Sequence, residues 1–130
     1  MIKKLILTIS ALSISLTACH KQSSDAVIRQ KTVGTWSLGA LSGTMTFSKN
    51  GDFTSKWTRI RQNVSSELTY DGIWKIENGF LVMVITNATG PEPREPVGFT
   101  NHLKVISINQ NQMVYQSNSY TNQMIISRVD

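Results

Sequence analysis

The sequence predicts an all-β domain, a small antiparallel up-and-down β-barrel of about eight strands, set behind a leader that is cut off. Three observations carry that prediction. From Thr32 onward apolar and polar residues alternate in short runs, the pattern of strands with one buried face. Breaks such as Lys49-Asn50-Gly51-Asp52 and Asn78-Gly79 separate the runs, and Asn-Gly pairs favour tight hairpins because both residues tolerate positive φ. No convincing helical period lies between them. Consecutive strands joined by tight turns pair antiparallel, and eight of them with one apolar face each have two good options, a closed barrel or a two-sheet sandwich. Closure leaves no unpaired edge, so the barrel is the first expectation and the sandwich the alternative.

Residues 1–18 read as a secretory signal peptide: Lys3 and Lys4 give a positive start, residues 5–16 an apolar run, and small residues follow. The run is shorter than the roughly 20 residues a spanning helix needs. Its close, Leu16-Thr17-Ala18-Cys19, resembles the lipobox of bacterial lipoproteins. That resemblance implies cleavage before Cys19, diacylglycerol on the Cys19 sulfur, and a further acyl chain such as palmitate on the new amino group. Stable anchoring takes more than one acyl chain, and this pathway supplies it. His20 stands where enteric lipoproteins retained in the inner membrane carry Asp, so the expected address is the cell envelope, at the outer membrane. Residues 19–31 then read as the lipidated cysteine and a polar tether. A short helix, capped by Ser24 or Asp25, runs to Lys31 with Val27 and Ile28 as its apolar contacts.

Residues 32–130 form the expected domain. Its first two strands are 34–38 and 43–48, the second with Met45 and Phe47 on one side. The third, 53–60, puts Phe53 and Trp57 on one face. The clearest alternation is 68–77, where Leu68, Tyr70, Trp74 and Ile76 oppose Thr69, Asp71, Lys75 and Glu77. Strand 80–86 is apolar on both sides and is expected to be covered on both. Residues 87–98, holding Pro91, Pro93 and Pro96, break the sheet, because proline removes ladder donors. Strands 99–108, 113–117 and 122–129 complete the set.

Charge and reactive residues narrow the function. Lys3 and Lys4 leave with the leader, so 13 basic residues become 11 against 8 acidic ones, a net +3. That suits a neighbour of anionic headgroups and falls short of a clustered nucleic-acid footprint. Lys56-Trp57-Thr58-Arg59-Ile60-Arg61 interleaves basic and aromatic residues, but in a strand Lys56 and Trp57 face opposite sides, which favours a solvated basic edge over a base-stacking stripe. The single cysteine is committed to lipid. His20 and His102 have no partners at metal-ligand spacing, so no metal or other cofactor is expected. No nucleophile motif is present, and Glu92 and Glu95 sit in the proline-rich loop, so no catalytic residue is assigned and an enzyme is not expected.

Gly34-Thr35-Trp36 is the Gly-x-Trp that opens lipocalins. With Gly43-Thr44-Met45-Thr46-Phe47, Asn50-Gly51-Asp52-Phe53, Gly72-Ile73-Trp74-Lys75-Ile76 and the closing Met124-Ile125-Ile126-Ser127-Arg128, residues 32–129 resemble small bacterial lipocalin-like domains. The resemblance implies an up-and-down barrel and a small apolar ligand. It also implies a barrel end built from Gly34, Trp36 and Arg128, with the arginine packed across the tryptophan. Phe47, Phe53, Trp57, Tyr70 and Trp74 are the candidate ligand-facing residues. Their bulk in an eight-stranded barrel, whose interior either fills with side chains or holds one small ligand, predicts a narrow pocket or none. The first functional expectation is therefore an anchored binder of a small apolar molecule. The second is a filled barrel that docks another envelope protein through its rim or its proline-rich loop.

Overall fold

Ser24 caps the helix α1 (Asp25–Thr32) of the computed structural model, its hydroxyl accepting from the Val27 N–H at 3.4 Å. The structure describes residues 24–39, 43–117 and 122–129; the expected leader, Cys19 and the start of the tether lie outside the described residues. Eight strands follow the helix: β1 (Gly34–Ser37), β2 (Gly43–Phe47), β3 (Asp52–Arg61), β4 (Val64–Glu77), β5 (Phe80–Thr89), β6 (Thr100–Ile108), β7 (Gln112–Ser117) and β8 (Gln123–Arg128). Each pairs antiparallel with the next, and β8 returns to β1, which makes the sheet a closed barrel rather than a sandwich.

Local chemistry sets the hairpins. Asn78 and Gly79 both take positive φ, 51° and 80°, between β4 and β5. At the β2–β3 turn Gly51 alone does so, at 95°. Asn50 instead ties the turn through its side chain, donating to the Asp52 carboxylate at 2.8 Å and accepting the Asp52 N–H at 3.1 Å. The β3–β4 hairpin is longer than the alternation predicted. β4 starts at Val64, and Gln62-Asn63 turn the chain with φ of 49° and 62°. β5 likewise runs through Thr89, into the segment expected as a break, so the irregular loop covers residues 90–99.

The two ends of the barrel differ. One carries the β2–β3, β4–β5 and β6–β7 turns, and α1 lies across it. The Asp25 carboxylate accepts the N–H groups of Asn78 and Gly79 at 2.8 and 2.9 Å. Arg29 donates to the Lys49 carbonyl at 2.9 Å and sits 4.5 Å from the centre of the Trp74 ring. The helix in the expected tether is thus docked on the folded body. Behind it, Trp36 is fully buried and donates its indole N–H to the Thr32 carbonyl at 2.9 Å. Phe47 meets Trp74 edge-on at 5.2 Å, a geometry worth about 0.5–1.5 kcal/mol beyond area burial. Leu81, Met113 and Ile126 complete this closed half. On β5, Val82 is buried along with Leu81 and Met83, as a strand apolar on both sides requires.

Candidate functional site

The other half of the barrel is hollow. A cavity of about 380 Å³ opens between the β3–β4 hairpin and the 90–99 loop, within the range of small-molecule sites. The register places its wall in rows. Nearest the mouth, Trp57 of β3 lies opposite Leu68 of β4 and Gly43 of β2. In the middle row Ser55 lies between Met45 and Tyr70. Phe53 forms the floor, opposite Phe47 and Gly72. Met83 and Ile85 line the β5 side. A Cβ at position 72 would run into the Val84 carbonyl oxygen and the Phe53 ring, so only glycine lets β5 and the floor close this tightly. The ladder shifts register between Asp71 and Gly72, at the same point.

The proline-bearing loop folds over the mouth. Its Arg94 N–H donates to the Tyr70 hydroxyl at 2.9 Å, and Gly98 and Phe99 bond the backbone of Ile85 at 2.7 and 3.0 Å. Arg94, Glu95 and Phe99 thereby join the cavity lining, with Arg59 from β3. Glu92 is engaged outside, ion-paired with Arg61, while its carbonyl accepts from Arg59 at 3.2 Å. The charged groups stand at the rim, and the wall below is mostly apolar, with Ser55 of β3 and Asn101 of β6, the partner of Met83, as polar side chains.

Of these two, Ser55 is the buried one. Ser55 is 3 % exposed, and its hydroxyl has no hydrogen-bond partner among the described residues. Burying such a group unpaired costs about 1–3 kcal/mol.

The five candidate ligand-facing residues divide by depth. Phe53, Trp57 and Tyr70 line the cavity. Phe47 and Trp74 do not: they pack on each other beneath it, with the Trp74 indole N–H held by the Ser48 carbonyl at 3.0 Å. Their retreat into the closed half leaves the space above them open, so of the expected alternatives, a narrow pocket or none, a pocket is present. Gly34, Trp36 and Arg128 gather at the closed end. The Arg128 guanidinium lies 4.4 Å from the Trp36 ring centre and donates to the carbonyls of Lys31, Val33 and Gln110 at 2.6, 2.9 and 2.6 Å. His102 is an exposed β6 residue, and no group of three His, Cys, Asp or Glu side chains among the described residues could hold a metal ion. Tyr115, on β7, is buried, which pushes its phenol above the ordinary value.

Eight antiparallel strands in sequence order, closed at one end and hollow at the other, define a lipocalin-like barrel. The crystal structure of a lipocalin-like protein from Bacteroides uniformis is similar to this chain at a TM-score of 0.54, covering 76% of this chain and 99% of that one at 14% sequence identity. At that identity the likeness concerns the fold. No protein-family model and no curated protein matches the sequence.

Proposed function

We propose that this protein is a lipid-anchored envelope protein that holds a small apolar molecule in the open half of its barrel. The observation that carries the reading is the apolar cavity itself. Met45, Phe53, Trp57, Leu68, Met83 and Ile85 surround a space of about 380 Å³ that the closed-end aromatics leave unfilled. Burial there would contribute about 25 cal/mol for each Å² of apolar ligand surface. The site offers shape and hydrophobicity, which support binding as the activity. A barrel with such a hollow favours carriage over a filled docking module.

The Leu16-Thr17-Ala18-Cys19 run supports anchoring through Cys19, and His20 supports the outer membrane. Ser24 leads into α1 at the closed end. It is five residues on from Cys19, a reach of at most about 18 Å. A lipid on Cys19 would therefore hold the closed end towards the bilayer and turn the mouth away from it, so that ligand would exchange with the aqueous compartment.

Native mass spectrometry of the protein purified from its own cells, followed by organic extraction, tests the binding reading. A stoichiometric apolar passenger is expected; an empty protein that also fails to bind apolar fluorescent probes removes the proposal. Cys19→Ser is expected to abolish metabolic palmitate labelling and processing, and persistent labelling would overturn the anchor.

A further inference from the structure

We infer that the preferred ligand carries a neutral hydrogen-bonding oxygen, a hydroxyl or carbonyl, on the part of its apolar body that reaches the depth of Ser55, and that Ser55 selects it. The inference rests on reading the cavity as a binding site, and it names the chemistry of the occupant. Ser55 is buried in the middle row of the wall, and its hydroxyl is the one buried side-chain N or O atom among the described residues with no hydrogen-bond partner. Its neighbours across the ladder do not supply one. Met45 on β2 is apolar, and the Tyr70 phenol on β4 is engaged at the rim, where it accepts from the Arg94 N–H. Inward positions on either side in β3 are Phe53 and Trp57, so the small Ser55 leaves room between two large rings.

Ser55 Oγ is covered in the wall as it stands, so a ligand oxygen meets it once the Ser55 side chain turns towards the cavity; a hydroxyl both donates and accepts, so an alcohol or a ketone serves equally. A plain hydrocarbon segment at that level would leave it orphaned. A charged group belongs elsewhere. Arg59 and Arg94 stand at the rim, and Arg59 is four residues along β3 from Ser55, about 13 Å of strand. A carboxylate at the rim and a hydroxyl at Ser55 are therefore separated by a length of chain, which makes an ω-hydroxy fatty acid the natural probe and the unsubstituted acid its control.

The test compares dodecanoate with ω-hydroxydodecanoate as competitors of an apolar fluorescent probe. The mature protein purified from its own cells is used in a non-ionic detergent, with detergent alone as the blank. The hydroxylated acid is expected to bind about three- to tenfold more tightly, the size of one net hydrogen bond. Ser55→Ala is expected to erase that preference, so that the two acids bind equally. Removing an unpaired hydroxyl is not expected to harm folding, and thermal unfolding checks this. Equal binding of the two acids by the unsubstituted wall, or a preference that survives Ser55→Ala, would overturn the assignment to Ser55 and leave the cavity reading standing. Failure of both acids to bind would overturn the cavity reading and this inference together.

Discussion

Arg128 and Trp36 are Cα partners across the seam where the barrel closes, and the guanidinium of one lies over the indole of the other at 4.4 Å. The seam is short, with only Ser37 and Ser127 as a second pair. The same guanidinium donates to carbonyls of α1, of the segment after it, and of the β6–β7 turn. One side chain thus joins the first strand, the last strand, the helix and a turn at the closed end.

Arg128→Ala is therefore expected to destabilise the protein by about 2–4 kcal/mol, combining a cation–π contact with hydrogen bonds from a charged donor. Urea denaturation measures it. Arg128→Lys is expected to recover less than half of the loss, since an ammonium cannot make the same fork of bonds while stacked on the ring. A loss within error for the alanine variant would show that the seam closes without this contact.

Gly34 faces the same guanidinium. Its φ is 134°, and a Cβ there would collide with Arg128 Nη1. Gly34→Ala is expected to cost about 1–3 kcal/mol from the backbone conformation alone, with the collision in addition. In an Arg128→Ala background the collision disappears, so the double-mutant cycle is expected to show coupling of about 1 kcal/mol or more. Strict additivity would contradict the packing described.

These contacts also mark how far the sequence could be read. Alternation over 68–77 placed Leu68, Tyr70 and Trp74 on one face, and all three are buried. Alternation reports only which face turns inward, never how deep along the barrel a residue lies. Phe47 and Phe53 look alike in the sequence and are direct partners across β2 and β3, yet only Phe53 lines the cavity, while Phe47 packs on Trp74. Ser55 gave no signal at all, because an orphaned hydroxyl exists only once Met45 and Tyr70 are paired beside it. The Gln62-Asn63 turn was hidden for a related reason. Gln is an uncommon left-handed residue, and the long β3–β4 ladder imposes that conformation on it. Arg128 became legible only through the family resemblance, since its partners are distant in the chain.

Trp57 is the cavity's own reporter. Trp36 and Trp74 are buried in the closed half, whereas Trp57 is half-buried in the wall near the mouth. Ligand-induced change in tryptophan emission is expected to vanish in Trp57→Phe, while affinity measured by competition falls by no more than about tenfold. A signal that persists would place the ligand beside Trp36 or Trp74 instead.

Tyr115 links stability to alkaline pH. Burial raises its folded-state pKa above the ordinary value near 10.0. Above that value the unfolded chain releases the proton and the folded one holds it, so the unfolded state binds fewer protons and stability falls as pH rises. The contribution is fully present below about pH 10, the unfolded pKa, and is lost as pH climbs through the raised folded pKa. Tyr115→Phe is expected to flatten this alkaline limb in denaturation curves taken across that range. An unchanged limb would assign the effect to other groups.

The division of the barrel into a packed half and a hollow half is tested most directly by an amide NMR titration with dodecanoate. Shifts are expected to concentrate at Met45, Ser55, Trp57, Leu68, Tyr70 and Met83, and to leave Trp36, Phe47 and Arg128 unmoved. Shifts confined to the outer surface, or centred on Trp36 and Phe47, would contradict it.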